Sequence, residues 1–379
     1  MAWRPLLAGP AADAARATAR ELALRAVTTP CSAVDRTLFW AYAQLVLDEP
    51  FASEQYDRAI DELVAQLLAG ARHTMLYNDG LAGMGWALTH VLDGDGDGLL
   101  PMLDETLLHA TQVVPWRGDF DLSQGLVGHG VYFLERLRGT TDAPLARAGL
   151  ARVVSQLAAT ADLTADGACW HTPAERLPAS HRAQFPHGRH DCGLAHGTAG
   201  AIALLSRVRD HAGAAALCAD AVRWLVAQRG PASPLGGRFP AFAHTGASFE
   251  PSRAAWCYGD PGIALALWRV APALALATAR DCALRPPGRC HVVDPALCHG
   301  SAGLLHLCNR FYQATGDATF AEAARGWLAV TLQAVALWGA PPFALVDGAL
   351  GVALALLAAV APVEPAWDRF MLCDLPTGV

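Results

Sequence analysis

GLAGMGWAL, residues 80–88, opens on two glycines three positions apart and runs straight into apolar residues. The same Gly-x-x-Gly before an apolar run returns as GLVGHGVYFL (125–134), GTAGAIALL (197–205), GDPGIALAL (259–267), GSAGLLHL (300–307) and GALGVALALL (348–357). Successive first glycines are separated by 45, 72, 62, 41 and 48 residues. Self-similarity at such a period marks a repeat architecture, and this period suits one helical hairpin per repeat. Glycine supplies unusual backbone angles in the turn leading into a helix and leaves room for a neighbouring helix. Between the glycine pairs lie amphipathic segments such as DAPLARAGLARVVSQLAATA (142–161) and TFAEAARGWLAVTLQAVAL (319–337), with apolar residues at helical spacing. Glycine-led helices that are apolar nearly all round, alternating with amphipathic ones, predict an inner ring of helices enclosed by an outer ring. The stretch RTLFWAYAQLVL (36–47) is expected to supply a seventh hairpin that lacks the glycines. No strand-rich region is expected. The fold class is therefore all-α, a double ring of about seven helical hairpins forming one domain over residues 1–379.

Composition narrows the function. Hydrophobic residues make up 53% of the 379 and charged residues 17%, ample for a large core and too apolar for disorder. All 28 basic residues are arginine, scattered singly, and the formal net charge is −7, so no stripe for nucleic acid is present. The longest candidate span, Gly351 to Val363, falls short of the ~20 apolar residues a membrane helix needs. The N-terminal MAWRPLLAGPAADAAR lacks the apolar core of a signal peptide. Ten cysteines follow no disulfide-like spacing, which fits a reduced, cytoplasmic protein.

In such a ring the lead-in turns of the inner helices gather at one rim, so chemistry is to be sought beside the glycine pairs. Three turns carry reactive residues: AHGTAG holds His196, WCYGDPG holds Cys257 and Tyr258, and CHGSAG holds Cys298 and His299. Adjacent residues on a helix point about 100° apart and rarely share a metal; on a turn they can. Two cysteines and a histidine form a donor set suited to Zn²⁺. Three protein ligands leave one tetrahedral position for a substrate, the mark of a catalytic site. The competing reading of a lone cysteine is a small buried hydrophobe, and Cys31, Cys218, Cys282 and Cys308 are assigned to it.

These residues also carry a family resemblance. FDLSQGLVG, CGLAHGTAG, RAAWCYGDPG, LCHGSAG and DGALGVALALL occur in that order, spread over roughly Tyr77 to Phe370. In this the chain resembles the lanthionine synthetase C-like cyclases, which close thioether rings in lanthipeptides. The resemblance implies an α/α toroid of seven helical hairpins and makes Cys257, Cys298 and His299 the ligands of one zinc per chain. It places Asp121, His196, Arg253 and Tyr258 in the active site. It further implies a dehydrated precursor peptide carrying a leader as substrate, a separate dehydratase as partner, and a peripheral association with a membrane or transport complex. The chemistry is addition of a peptide Cys sulfur to dehydroalanine or dehydrobutyrine. A free thiol with a pKa of about 8.5 is only ~3% thiolate at pH 7, and coordination to zinc would deprotonate it. His196 then suits the role of general acid. Asp121 would orient or charge-balance a partner, unless it is only a helix N-cap before LSQGL. Arg253 would stabilise the enolate or pair with Asp121, and Tyr258 would hold a sulfur or water or merely pack. The alternatives are a zinc hydrolase, against which the absence of an H-E-x-x-H motif speaks, and a non-catalytic zinc-containing scaffold for a peptide or glutathione. The histidines His171, His181, His187 and His190 in a loop at 171–190 match nothing in the family pattern and read as exposed, with a second metal site as the sharper possibility.

Overall fold

The computed structural model describes residues 2–69, 73–92, 96, 98–139, 142–231, 236–243 and 249–376, so the extreme ends of the expected 1–379 domain lie outside the described residues. The chain forms two compact units. One is drawn from Met1–Arg72, Ala254–Trp256 and Ala279–Val379, the other from His73–Arg253 and Cys257–Thr278.

In the second unit the glycine-led helices Leu81–Val91, Leu126–Gly139, Thr198–Arg207 and Asp260–Leu267 pack side by side in chain order. Each of the first three lies against the helix that follows it: Leu99–Ala110, Pro144–Thr160 and Ala214–Ala227. Every residue of Asp260–Leu267 is buried, and so is nearly all of Thr198–Arg207. Helices hydrophobic all round belong inside, and the amphipathic partners cover them. The first unit repeats this scheme. Ser301–Thr315 and Ala349–Val360 are its glycine-led helices, and Ala318–Ala336 backs the former. The expected hairpin without glycines is Ala33–Val46 with Pro50–Leu68, and Ala33–Val46 lies beside Ala349–Val360.

Among the described residues, only the short 3-10 helix Ala366–Met371 follows Ala349–Val360. The cover of Ala349–Val360 is the N-terminal helix Gly9–Ala26. The segment before that helix also serves the end of Ala349–Val360, whose last carbonyls have no partner within the helix. Trp3 Nε1 donates to the Ala358 carbonyl at 2.9 Å, the amides of Leu6 and Leu7 donate to Ala359, and Arg16 donates to Val360 at 3.0 Å.

The glycine pairs work differently from the expectation of unusual angles and neighbouring helices. At five of the six first glycines φ is negative or the angles are near extended; only Gly259, at φ +100°, occupies a region that demands glycine. What the pairs permit is close approach of the chain's own lead-in loop. A Cβ on Gly83, Gly128, Gly200, Gly303 or Gly351 would run into the carbonyl of the residue six positions earlier: Tyr77, Leu122, Leu194, Leu297 or Leu345. The loop so folded back caps the helix with main-chain carbonyls. Leu81 donates to Thr74, Leu126 to Asp119, Ser301 to Asp294 and Ala349 to Pro342, each spanning seven residues. No side-chain cap is present at Gly80, Gly197, Gly300 or Gly348, and at Gly80, Gly300 and Gly348 a lead-in carbonyl takes the first helical amide in its place.

Among the described residues the fold is all-α as expected, with only five short strands added: β1 (Asp162–Thr164), β2 (Gly167–Cys169), β3 (His171–Thr172), β4 (Arg189–Asp191) and β5 (Phe242–Ala243). β1 pairs antiparallel with β2, and β4 lies between β3 and β5. At two or three residues each they are too short for an alternating pattern to show in the sequence. Cys31 also departs from its assignment, being only half-buried with Arg36 Nε at 3.4 Å from its sulfur.

Candidate active site

A cavity of about 380 Å³ opens in the second unit. One wall comes from three lead-in turns and carries Asp121, His196 and Tyr258. His196 immediately precedes Gly197, and its Nδ1 lies 2.6 Å from Asp121 Oδ2. The other carboxylate oxygen of Asp121 accepts the Gln124 amide at 2.6 Å. Asp121 is therefore not the helix N-cap its position suggests, since the helix begins only at Leu126; it closes the turn before that helix and is the partner of His196. Burial disfavours a charge on His196, but the hydrogen bond and charge of Asp121, with Asp191 and Cys257 behind them, outweigh it and raise the pKa above the ordinary 6.5. A carboxylate on Nδ1 orients the ring and leaves proton transfer to Nε2.

Further lining comes from the stretch 171–191, running from β3 through β4, which contains the unmatched histidines. His181 reaches the cavity from its middle, and β4 contributes Arg189 and Asp191. Asp191 is a hub that sequence reasoning missed. Its carboxylate takes Arg189 from two sides at 3.3 Å, the Tyr258 hydroxyl at 3.2 Å and the Thr172 hydroxyl at 3.5 Å. Burial raises the Asp191 pKa, with Arg189, His196 and Tyr258 opposing. Burial together with the Asp191 charge pushes the Tyr258 phenol well up, so it stands as a neutral donor. The Arg189 guanidinium lies over the Phe242 ring at 3.5 Å and within 3.0 Å of His181 Nδ1. Gly193 lets Tyr258 in: a Cβ there would strike the Cys257 carbonyl and the Tyr258 ring. Asp260 is fully buried and accepts the amides of Arg238 at 2.9 Å and Phe239 at 3.2 Å.

The four loop histidines do not gather at one point. His181 faces the cavity, His171 bonds the His187 carbonyl at 2.9 Å, and His190 meets Asp162 at 3.2 Å. Arg253 is exposed and, among the described residues, makes no ion pair with Asp121.

The metal-donor residues sit where the repeat places them. In the second unit, buried Cys257 stands two residues before Gly259, and its carbonyl accepts the Leu194 amide at 2.8 Å. In the first unit, Cys298 stands two residues before Gly300, with its amide bonded to the Val346 carbonyl at 2.9 Å. Its carbonyl accepts the amide of Trp256, the residue before Cys257, at 3.1 Å. His299 is half-buried; Asp294 Oδ2 holds its Nε2 at 2.9 Å, and Asp347 lies 3.7 Å from its Nδ1. Two thiols and an imidazole braced by a carboxylate are chemically a zinc donor set.

The family profile described as "Lanthionine synthetase C-like protein" matches residues 37–372. Among solved structures, "Nisin cyclase" superposes with a TM-score of 0.76 over 95% of this chain and 98% of its own, at 17% sequence identity. The helical hairpins thus have the fold class expected of them, the α/α toroid. No curated protein matches.

Proposed function

The chain belongs to the lanthionine synthetase C-like family, and from that premise we propose that it is a zinc-dependent cyclase that forms lanthionine and methyllanthionine in a dehydrated precursor peptide. The observation that carries this reading is the His196–Asp121 pair at 2.6 Å on the cavity wall. Cys257, Cys298 and His299 would hold zinc, with His299 binding through Nδ1 because Asp294 engages its Nε2. The chemistry that a bound zinc supplies there is acidification of a substrate thiol.

The remaining steps fall to the chain's own side chains. A peptide Cys gives up its S–H proton to solvent, and its sulfur lone pair forms the bond to the β-carbon of dehydroalanine or dehydrobutyrine. The π electrons of that double bond move onto the adjoining carbonyl as an enolate. His196, where burial disfavours the charge but Asp121 raises the pKa overall, delivers a proton from Nε2 to the α-carbon and is recharged from solvent. Net, S–H adds across C=C with no redox change. Tyr258, a neutral donor tethered to Asp191, and Arg189 orient the peptide. Arg253, exposed at the end of its turn, meets the enolate oxygen once substrate is bound. The two units act as one cyclase domain, in the cytoplasm, on a peptide delivered with its leader by a separate dehydratase, at a peripheral membrane or transport complex.

Cyclisation leaves peptide mass unchanged but consumes thiols, so alkylation counts it. Incubating the zinc-loaded protein with a dehydrated, Cys-containing precursor should abolish alkylation of the peptide. Binding of that peptide with every thiol still alkylated would sink the enzyme reading and leave a zinc-containing peptide- or glutathione-binding scaffold.

A further inference from the structure

Away from the cavity, the strands of the second unit assemble another set of donors. Asp162 opens β1 and Cys169 closes β2, and the two are direct register partners. Opposed residues of an antiparallel pair project to the same face with Cβ atoms about 4.5–5.5 Å apart. His190, in the middle of β4 and paired to β3 and β5 on its two sides, reaches them from the neighbouring sheet. Its Nε2 lies 3.2 Å from Asp162 Oδ2. One carboxylate oxygen, the Cys169 sulfur and one His190 nitrogen all lie within 4.8 Å of one another. Zinc bonds of about 2.0–2.3 Å in a tetrahedral array put ligand atoms roughly 3.3–3.8 Å apart, so small side-chain adjustments suffice. The thiol is buried, while the His190 and Asp162 side chains above it are 27% and 50% exposed. An ion can therefore arrive from solvent and settle on a protected sulfur. An ion pair between His190 and Asp162 would need no cysteine beneath it.

We propose that Asp162, Cys169 and His190 form a second site for a thiolate-tolerant divalent metal such as Zn²⁺, separate from the family's metal residues. On binding, the Cys169 S–H proton passes to buffer, and the thiolate, the unprotonated Nε2 of His190 and one Asp162 oxygen become ligands. Solvent completes the coordination shell.

The test uses Co²⁺, whose thiolate bonds give a near-ultraviolet charge-transfer band, on full-length protein. A Cys257→Ala/Cys298→Ala double variant removes both thiols of the family site, so the outcome does not depend on cyclase activity. This variant should still bind about one Co²⁺ with a thiolate band. Adding Cys169→Ala should remove the band, and adding His190→Gln should weaken binding tenfold or more. Should the double variant not fold, Cys169→Ala alone must lower bound Co²⁺ from about two to about one per chain. No band in a folded double variant, or a band indifferent to Cys169 and His190, overturns the proposal.

Discussion

His196 is where burial and charge compete. Burial alone would make the ring neutral, yet Asp121 holds the net pKa above 6.5. Because the folded value is raised, the pair contributes stability fully below pH 6.5, and that contribution is lost as pH rises through the folded pKa. Asp121→Asn should therefore bring the His196 titration, followed by its ring proton in NMR, down to or below the ordinary value. It should also flatten the stability difference between acid and neutral pH. An unchanged titration would remove Asp121 as the cause. On the same preparations, His196→Asn should keep its zinc and slow thiol consumption by ~10²–10⁴-fold, the usual range for a lost general acid. Loss of zinc would make His196 a ligand instead. The candidate site residues stood out in the sequence because each stands at a fixed offset before a glycine: His196, Tyr258 and His299 one place before, Cys257 and Cys298 two. Asp191 and Arg189 were not legible, since Asp191 gains its meaning from a bond to Tyr258, 67 residues on, and Arg189 from its pairing with Asp191.

At the level of the element, the folded-back loop explains why glycine recurs while capping side chains do not. Gly303→Ala would press a Cβ into the Leu297 carbonyl, main chain that cannot swing aside, and should cost about 1–3 kcal/mol as other overpacking does. Gly326, inside the exposed-faced helix Ala318–Ala336, meets nothing within 4 Å. Gly326→Ala should instead stabilise by about 0.5–1 kcal/mol through helix propensity. Denaturant unfolding of the two variants should move the midpoint in opposite directions; a shared direction would contradict the steric account. The glycine spacing made the helices readable, but not the reason for the glycines, because carbonyl-to-amide bonds leave no trace in side-chain identity. β1 to β5 escaped for a similar reason. β1 and β2 form a tight local hairpin of three residues a side, too short for alternation to show, while β3, β4 and β5 arise from pairing between distant stretches, a tertiary fact that no local pattern encodes.

For the chain as a whole, the ends matter more than the repeat suggested. The seventh hairpin was readable from RTLFWAYAQLVL, but not the use of Gly9–Ala26 to cover Ala349–Val360, since nothing in either stretch names its partner. All twelve residues of Ala349–Val360 are buried, and burying a single Leu or Val contributes about 1.5–3 kcal/mol. A chain lacking residues 2–26 should accordingly unfold at markedly lower temperature in calorimetry and self-associate on size exclusion. A monomer of unchanged melting temperature would show that the helix is dispensable. The main-chain turn has a different kind of consequence. Asp79, Gln124, His196, Tyr258, His299 and Asp347 all occupy the place just before the first glycine, although the bonds that hold the turn run between carbonyls and amides elsewhere in it. The scaffold therefore tolerates an acid, an amide, an imidazole or a phenol there alike. A lineage built by duplicating such a unit can try out reactive groups one codon at a time, at any of six places, on a framework that is already folded.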